Sequence, residues 1–262
     1  MKFITSKDNP RYKHWLKVAQ AKVKHEALLE GTHLCEMWLA QHGWPEQVIV
    51  REDLVQSIDN VGDSQLRSLL THLDAQQLLV LPDNLFQALN SIPSPQGILF
   101  HIKVPIPERI PTPEGNSVYL ERIQDPGNLG TIIRTCAAAD VDAIYLSPAC
   151  VNPWTSKVLR SAQGAHFAIK IFTHVEARTF FAQNSLPVYA TYLSDKARSL
   201  YHTQLPEQLI WVLGNEGQGI SDELMEFADE QIFIPQSSKV ESLNVGVACG
   251  LVLFEQKRQW NP

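Results

Sequence analysis

The segment that decides the fold reads LIWVLGNEGQGIS and covers residues 209–221. Its first part, Leu209–Leu213, is apolar without a break, which is typical of a strand buried on both faces of a parallel sheet. Three glycines follow within six positions, and Ser221 then offers a side chain that can cap a helix. This order predicts a glycine-rich loop bent around a ligand at the carboxyl edge of a sheet.

Strand and helix patterns alternate on both sides of this segment. Such alternation predicts a parallel sheet covered by helices on both faces, with ligands bound where the strands end. The predicted strands are Val118–Arg122, Ala143–Leu146, Ile169–Phe172, Val188–Tyr192, Leu209–Leu213 and Gln231–Ile234. The predicted helices are Leu129–Ala139, Ser156–Ala162, Val175–Gln183, Asp222–Ala228 and Leu243–Gln259.

A proline-rich stretch separates this region from the N-terminal part of the chain. Residues 104–116 read VPIPERIPTPEGN, and proline at this density favours extended backbone over a helix or a central strand. We therefore predict a linker at 104–116 between domains over 1–103 and 117–262. The N-terminal domain is expected to be a small α/β domain. Its predicted helices run from Asn9-Pro10 to about Leu29 and over His33–His42, Ser64–His72 and Asp83–Asn90, and its short apolar runs are 48–50, 78–80 and 97–100.

The composition indicates a folded globular chain, because 44% of the 262 residues are hydrophobic and 19% are charged. No apolar run approaches the roughly 20 residues of a membrane span, and the N-terminus lacks the apolar core of a signal peptide. We therefore expect a cytoplasmic protein with no membrane partner. The four cysteines form no C-x-x-C pair and no cluster with zinc spacing. Reduced thiols and no bound metal are the expectation.

The charge is distributed unevenly along the chain. The net charge of −6 gives no support for nucleic-acid binding, yet the first 25 residues contain seven basic residues and one acid. A local basic arm suits a phosphate backbone, although a solvated helix face would have the same composition. The candidate RNA contacts are Lys7, Arg11, Lys13 and Lys17.

Three loops at predicted strand ends carry candidate chemistry. The first, QDPGNLG at 124–130, opens a helix whose free N–H groups favour anions, with Arg134 one to two turns inside it. In the second, at 213–221, the G-x-x-G-x-G spacing differs from dinucleotide sites, and Glu216 suits a hydroxyl, an amine or a cation. The third, at 234–245, ends in polar residues that either cap the last helix or bind a ligand. Each loop alone also fits an ordinary strand–turn–helix junction.

Taken together, these loops resemble the SpoU/TrmH family of RNA ribose 2′-O-methyltransferases. The resemblance rests on DPGNLGTIIRT, LGNEGQGIS and IPQSSKVESLNV, which occur in this order within residues 117–259. More loosely, ITSKDNP and LLEGTHLCE near the N-terminus look like the substrate-binding domain of many members. The resemblance implies S-adenosylmethionine as cofactor, an RNA partner, and a C-terminal parallel α/β domain tied in a deep trefoil knot. It also implies a homodimer formed through that domain, which the apolar last helix favours.

The resemblance further implies roles for individual residues. The implied catalytic residues are Asn128, Arg134, Glu216, Ser242 and Asn244. The implied cofactor contacts are Leu213, Gly214, Asn215, Gly219, Ile234, Ser242 and Leu243. The family would assign hydroxyl activation to Arg134, but a guanidinium stays protonated in proteins. We therefore interpret Arg134 as a phosphate clamp that stabilises charge developing on the ribose oxygen.

The RNA target and three other functions remain open at this point. Ribosomal RNA is the first expectation, because the N-terminal segments look like those of ribosomal RNA modifiers, and transfer RNA is the alternative. A base methyltransferase of another knotted family would lack the N-L-G-x-x-x-R arrangement. A catalytically silent RNA-binding protein of the same fold is disfavoured because the motif positions are intact. For a nucleotide-dependent oxidoreductase, the spacing of Gly214–Gly219 and the charge of Glu216 are both wrong.

Overall fold

The computed structural model describes residues 1–56, 63–73, 77–105, 107, 109–194 and 196–260. Ile106 and Glu108 of the predicted linker lie outside these residues. By packing, the chain divides into two compact units, one of Met1–Ile106 with Trp154–Phe167 and one of Pro107–Pro153 with Ala168–Pro262. Residues 154–167 were predicted within the domain over 117–262. They pack with the first unit instead, because the side chains of Leu159 and Phe167 join its hydrophobic core.

The first unit is a five-stranded mixed sheet with helices on both faces. Its strands are β1 (Lys2–Phe3), β2 (Glu26–Glu30), β3 (Gln47–Arg51), β4 (Leu78–Leu81) and β5 (Ile98–Lys103). Its helices before the proline-rich stretch are α1 (Pro10–Ala19), α2 (Thr32–His42), α3 (Glu52–Gln56), α4 (Ser64–His72) and α5 (Asp83–Gln87). The strand order is β1-β4-β3-β5-β2. β1 and β3 run parallel to β4, whereas β5 is antiparallel to β3 and β2.

Alternation along the strands of the first unit creates two separate cores. Successive side chains of a strand point to opposite faces, so each strand contributes to both. One core lies against α1 and α5 and contains Leu28, Ile49, Leu79 and Leu99. The other lies against α2 and α4 and contains Leu29, Val48, Val50, Val80 and Phe100.

The prediction of one helix from Pro10 to about Leu29 was wrong. The helix ends at Ala19, and left-handed residues at Ala21 (φ 54°) and His25 (φ 64°) turn the chain. Residues 26–30 then form β2, which pairs along its whole length with β5. Pairing with a distant strand outweighs the helix propensity of EALLE, because it buries three consecutive apolar side chains.

The second unit confirms the predicted parallel sheet. Its strands are β6 (Ser117–Leu120), β7 (Ala143–Leu146), β8 (Lys170–Phe172), β9 (Val188–Thr191), β10 (Arg198–Ser199), β11 (Ile210–Leu213) and β12 (Glu230–Phe233). The later helices of the chain are α6 (Pro126–Ala138), α7 (Ser156–Ala162), α8 (Ala177–Phe181), α9 (Asp222–Met225) and α10 (Val245–Trp260). Of these, α7 belongs to the first unit. The order is β10-β12-β9-β11-β6-β7-β8, and every pairing in this sheet is parallel.

The sheet order places the loops that follow β6 and β11 side by side. The chain leaves β6 toward β7 and β8 on one side, and β11 later fills the other side of β6. Such a reversal in strand order opens a crevice at the carboxyl ends of the two strands, where α/β proteins bind ligands. The loops that follow β6 and β11 carry the first two motifs. Among the described residues, no helix is both long and apolar enough to cross a membrane.

Candidate active site

The side chain of Asn128 joins all three motif loops. Its Nδ2 donates to Oε1 of Glu216 at 2.8 Å, and its Oδ1 accepts from Nδ2 of Asn244 at 2.8 Å. An amide that donates on one side and accepts on the other has its orientation set by its partners. Three of the five predicted catalytic residues are thereby connected in one chain of hydrogen bonds.

The first motif loop is shaped by the start of α6. Asp125 caps this helix, because its carboxylate accepts from the backbone N–H of Asn128 at 2.8 Å. Pro126 occupies the first helical position, where a missing N–H costs nothing. The cap and the proline together determine where the helix begins, and Asn128 therefore sits in its first turn, facing the other two loops.

The strand end before this loop is held by Ser147 and Cys150. The hydroxyl of Ser147 accepts from the N–H of Arg122 at 2.9 Å, and the thiol of Cys150 donates to the carbonyl of Leu120 at 3.2 Å. Burial raises the pKa of Cys150, so the thiol stays protonated and can donate. All four cysteines are free, and the other three are buried.

The second motif loop is closed by Asn215. Its backbone exchanges two hydrogen bonds with Gly219, at 3.0 and 2.8 Å, and its Oδ1 accepts from the N–H groups of Gly217 and Gln218. Its Nδ2 donates to the carbonyl of Arg122 at 2.9 Å, which ties this loop to the end of β6. Asn215 was predicted as a cofactor contact, but its side chain and its backbone N–H and C=O groups all make hydrogen bonds within the protein.

Glycine is required at two positions of this loop. A Cβ on Gly214 would lie 2.3 Å from the backbone of Gly219, and Gly219 itself has a φ of +68°. The loop therefore folds back tightly on itself, and its position beside the end of β11 is well defined. Ser221 caps α9 by accepting from the N–H of Leu224 at 3.3 Å, as predicted.

Sequence reasoning missed Glu121 and Arg122, which connect the first two loops. Oε2 of Glu121 accepts from the N–H of Ser221 at 2.8 Å, and Oε1 of Glu121 lies 3.6 Å from Nε of Arg122. Arg122 has a left-handed φ of 55°. The available signal was a charged pair placed directly after a buried strand, where side chains at the carboxyl edge meet neighbouring loops.

In the third loop, Asn244 performs both functions that the sequence left open. Its Oδ1 caps α10 by accepting from the N–H groups of Gly246 and Val247 at 2.9 and 3.3 Å, while its Nδ2 reaches Asn128. A Cβ on Gly246 would lie 3.0 Å from Cγ2 of Thr131, so α10 packs very closely on α6. This close packing places the third loop against the first.

The remaining predicted residues of the loops differ in exposure. Ile234 is buried and Leu243 is half-buried, whereas Ser242 is exposed. Arg134 is exposed on α6, and no hydrogen bond or ion pair joins its side chain to any residue that the structure describes. A free guanidinium with five donors is suited to binding a phosphate.

The second and third loops offer glycine backbone and apolar side chains to a small molecule. Space for a ligand is open where a side chain on Gly219 would project, and Ile234 and Leu243 are apolar residues of the third loop. A few backbone polar groups within an apolar lining are typical of small-molecule sites. The hydrogen bonds of Asn128 hold these two loops together.

The predicted RNA contacts lie in the first unit, on and before α1. This helix buries Tyr12, Trp15 and Val18 against the sheet, and the four basic residues are exposed. Lys13 and Lys17 are four positions apart and therefore share a face. Nζ of Lys13 also forms an ion pair of 2.8 Å with Asp8.

Comparison with known proteins gives matches over the whole chain. The model of the SpoU rRNA Methylase family matches residues 115–254. An uncharacterized tRNA/rRNA methyltransferase of Synechocystis sp. is 33% identical, with 98% of this chain and 93% of the relative covered. The 23S rRNA (guanosine(2553)-2′-O)-methyltransferase RlmP of Bacillus subtilis is 30% identical, with 97% and 98% covered. The AdoMet-bound rRNA methyltransferase structure of Sinorhizobium meliloti has a TM-score of 0.81 at 25% identity, with 100% and 99% covered.

Proposed function

Because this chain belongs to the SpoU rRNA Methylase family, we propose that it transfers a methyl group from S-adenosylmethionine to a ribose 2′-hydroxyl of ribosomal RNA. The observation that carries the proposal is the hydrogen-bond chain Glu216–Asn128–Asn244, which assembles the three motif loops at one sheet edge. Ribosomal RNA is preferred because RlmP, which matches this chain nearly end to end, is named for it. Transfer RNA is the second candidate, since the Synechocystis relative is named for both.

In this proposal, some residues of the motif loops bind the cofactor and others position the ribose. The backbone of Gly214 would hold the cofactor, with Ile234 and Leu243 against its apolar parts, while the backbone of Gly219 is paired with Asn215 and closes the loop. Bound S-adenosylmethionine supplies an electrophilic methyl group. The protein must then align the ribose oxygen with that methyl group and help to remove its proton.

Arg134 stabilises charge in this proposal and does not act as a base. A guanidinium remains protonated in proteins. Its free donors can bind a neighbouring phosphate in a bidentate manner and stabilise the negative charge that develops on the 2′-oxygen. Glu216 and Asn128 position the ribose, and Ser242 lies exposed in the adjoining loop. The proton leaves to the phosphate or to water.

The test compares Arg134→Ala with Arg178→Ala in the same unit. Arg178 is also an exposed arginine, and its ion pair of 3.5 Å with Glu223 is a surface contact. We expect Arg134→Ala to lose methyl transfer while its affinity for S-adenosylhomocysteine is unchanged, and Arg178→Ala to keep both. Activity is measured as transfer of radiolabelled methyl to ribosomal RNA, followed by digestion to nucleosides.

The nucleoside products separate the alternatives. A 2′-O-methyl nucleoside from ribosomal RNA supports the proposal, and faster labelling of transfer RNA would reassign the substrate. A methylated base would indicate a base methyltransferase, and no labelling by the wild-type protein would indicate a silent RNA-binding protein. Near-normal turnover of Arg134→Ala would refute the role of that residue.

The proposal includes a homodimer formed through α10. Val247 and Phe254 on this helix are 52% and 48% exposed, and Tyr201 lies next to them along a shallow groove. Their spacing of seven residues places Val247 and Phe254 on one helix face. Exposed apolar patches of this kind mark protein interfaces.

The remaining parts of the proposal concern chain path, location and RNA contacts. The chain must return from β12 to pack α10 on α6, the helix that follows β6. The strands β9 and β11 lie between β12 and β6, and we propose that the chain makes this return through a trefoil knot. Lys7, Arg11, Lys13 and Lys17 are proposed to contact RNA phosphates. A cytoplasmic location is proposed because ribosomal RNA is modified during ribosome assembly.

A further inference from the structure

The first unit contains a second cluster of titratable side chains, which takes no part in the proposed methyl transfer. Nε2 of His14 and Nε2 of His101 each lie 2.6 Å from the same oxygen, Oε2 of Glu26. The three potential ligand atoms all lie within 4.8 Å of one another. Two imidazole nitrogens and one carboxylate oxygen therefore converge on a single point.

The cluster is built by α1 and two neighbouring strands. In the antiparallel pairing of β2 with β5, Leu28 is opposite His101 and Glu26 is opposite Lys103. Glu26 and His101 are therefore diagonal neighbours on one face of the sheet, where side chains can touch. Leu28 belongs to the core beneath α1, so this is the face that α1 covers, and His14 reaches the pair from that helix.

His101 and Glu26, the two members of the cluster that lie on strands, are largely buried. The side chain of His101 is 8% exposed and that of Glu26 is 22% exposed, whereas His14 is 44% exposed. Nδ1 of His101 has no hydrogen-bond partner among the described residues, so this ring is held only through the nitrogen that faces Glu26. A buried imidazole with one unpaired nitrogen is costly, so the contact of Nε2 with Glu26 must offset the burial of this ring.

We propose that His14, Glu26 and His101 bind a divalent transition-metal ion, zinc by ligand preference, with water in the fourth position. Two imidazoles and one carboxylate are a zinc donor set, and they would place one negative charge against the ion. Zinc–ligand distances of about 2.0–2.2 Å set ligand atoms about 3.3 Å apart in a tetrahedron. Side-chain rotations that move the ligand atoms by less than about 1 Å would open the cluster to that spacing.

The ion would fasten α1 to the sheet. His14 is partly exposed, which gives a metal ion a way in, while the two strand ligands are fixed by their backbone pairing. α1 also carries Arg11, Lys13 and Lys17, so metal binding would hold in place the helix that presents basic side chains to solvent. Stability and metal content, rather than methyl transfer, are therefore the direct readouts.

The first experiment is a zinc titration of the untagged, full-length protein after treatment with EDTA and dialysis. We expect one equivalent of zinc by calorimetry and by elemental analysis. The Tm should rise by about 5 °C or more at a hundredfold excess of zinc over Kd, and EDTA should reverse the rise. Cobalt should bind in competition with zinc and give a visible absorption band typical of tetrahedral coordination.

The variants His14→Gln and Glu26→Gln test the ligand set, and His25→Asn is the matched control. His25 is an exposed histidine next to Glu26 in sequence and has a left-handed φ of 64° that asparagine tolerates. We expect His14→Gln, whose side chain is partly exposed, to keep the metal-free Tm and to bind zinc at least tenfold more weakly. His25→Asn should bind like wild type. Absence of stoichiometric binding, or equal binding by His14→Gln and wild type, would overturn the proposal, and so would weakening confined to His25→Asn.

Discussion

Replacing Gly214 by alanine should damage the cofactor site through the backbone alone. A Cβ at this position would lie 2.3 Å from the carbonyl carbon and oxygen of Gly219 and 2.5 Å from the nitrogen of Ile220. Carbon atoms in favourable contact are about 3.5 Å or more apart. The obstructing atoms belong to the backbone, which cannot rotate away as a side chain can, so the loop must move by about 1 Å.

The displacement has a calculable cost. Moving the loop separates its two ends, which are joined by the hydrogen bonds of 3.0 and 2.8 Å between the backbones of Asn215 and Gly219. Overpacking costs about 1–3 kcal/mol and each weakened hydrogen bond up to about 1 kcal/mol. We expect a loss of about 2–4 kcal/mol in the free energy of unfolding. A loop displaced by about 1 Å should weaken S-adenosylhomocysteine binding by at least about tenfold, since site geometry is sensitive at that scale.

Gly217→Ala is the matched control within the same loop. A Cβ on Gly217 would meet only Oδ1 of Asn215, at 3.6 Å, which is an ordinary contact. Calorimetric titration with S-adenosylhomocysteine and thermal melting should therefore show Gly217→Ala close to wild type and Gly214→Ala clearly impaired. Wild-type affinity in Gly214→Ala, or an equal loss in Gly217→Ala, would refute the reasoning about this loop.

Three further predictions follow from the contacts of the second unit. Asn128→Ala removes both amide hydrogen bonds between the motif loops, and we expect methyl transfer to fall by about a hundredfold in a radiolabel assay, with circular dichroism unchanged. Phe254→Glu puts a charge on the exposed face of α10, and sedimentation should then show a monomer, whereas we expect wild type to sediment as the proposed dimer. Hydrogen bonding from Arg258 lowers the pKa of Glu255 to about 2, so its stabilising effect is present above its unfolded value near 4.5 and is lost as pH falls toward 2. Melting of wild type and Glu255→Gln should accordingly differ at pH 7 and converge near pH 2.

Helices and long strands were predictable where the apolar pattern is strong. The strand of Leu209–Leu213, predicted from five apolar residues, appears as β11 with Ile210–Leu213. In contrast, β1 and β10 have two residues each and show no pattern of their own, because they exist only by pairing with β4 and β12. The helix predicted to continue to Leu29 failed for the same reason, since β5 competes for those residues.

The candidate site was predictable as a set of loops but not as a set of contacts. Glycine spacing and cap residues are local signals, so they identify Gly214–Ser221 and the start of α6 from sequence alone. The bond from Asn128 to Glu216 joins residues 88 positions apart, and that from Asn244 to Asn128 joins residues 116 apart. Likewise, Glu121 was invisible until its carboxylate was seen to accept from Ser221.

The sequence by itself determined the parallel α/β sheet, the motif loops and the family to which they belong. These depend on apolar runs, glycines and capping residues, each of which acts over a few neighbouring positions. Only the tertiary structure decided that Asn128 bridges all three loops, that residues 154–167 pack with the first unit, and that His14, Glu26 and His101 converge. Such features depend on strand order and register, which bring distant residues within hydrogen-bonding distance and leave no local trace in the chain.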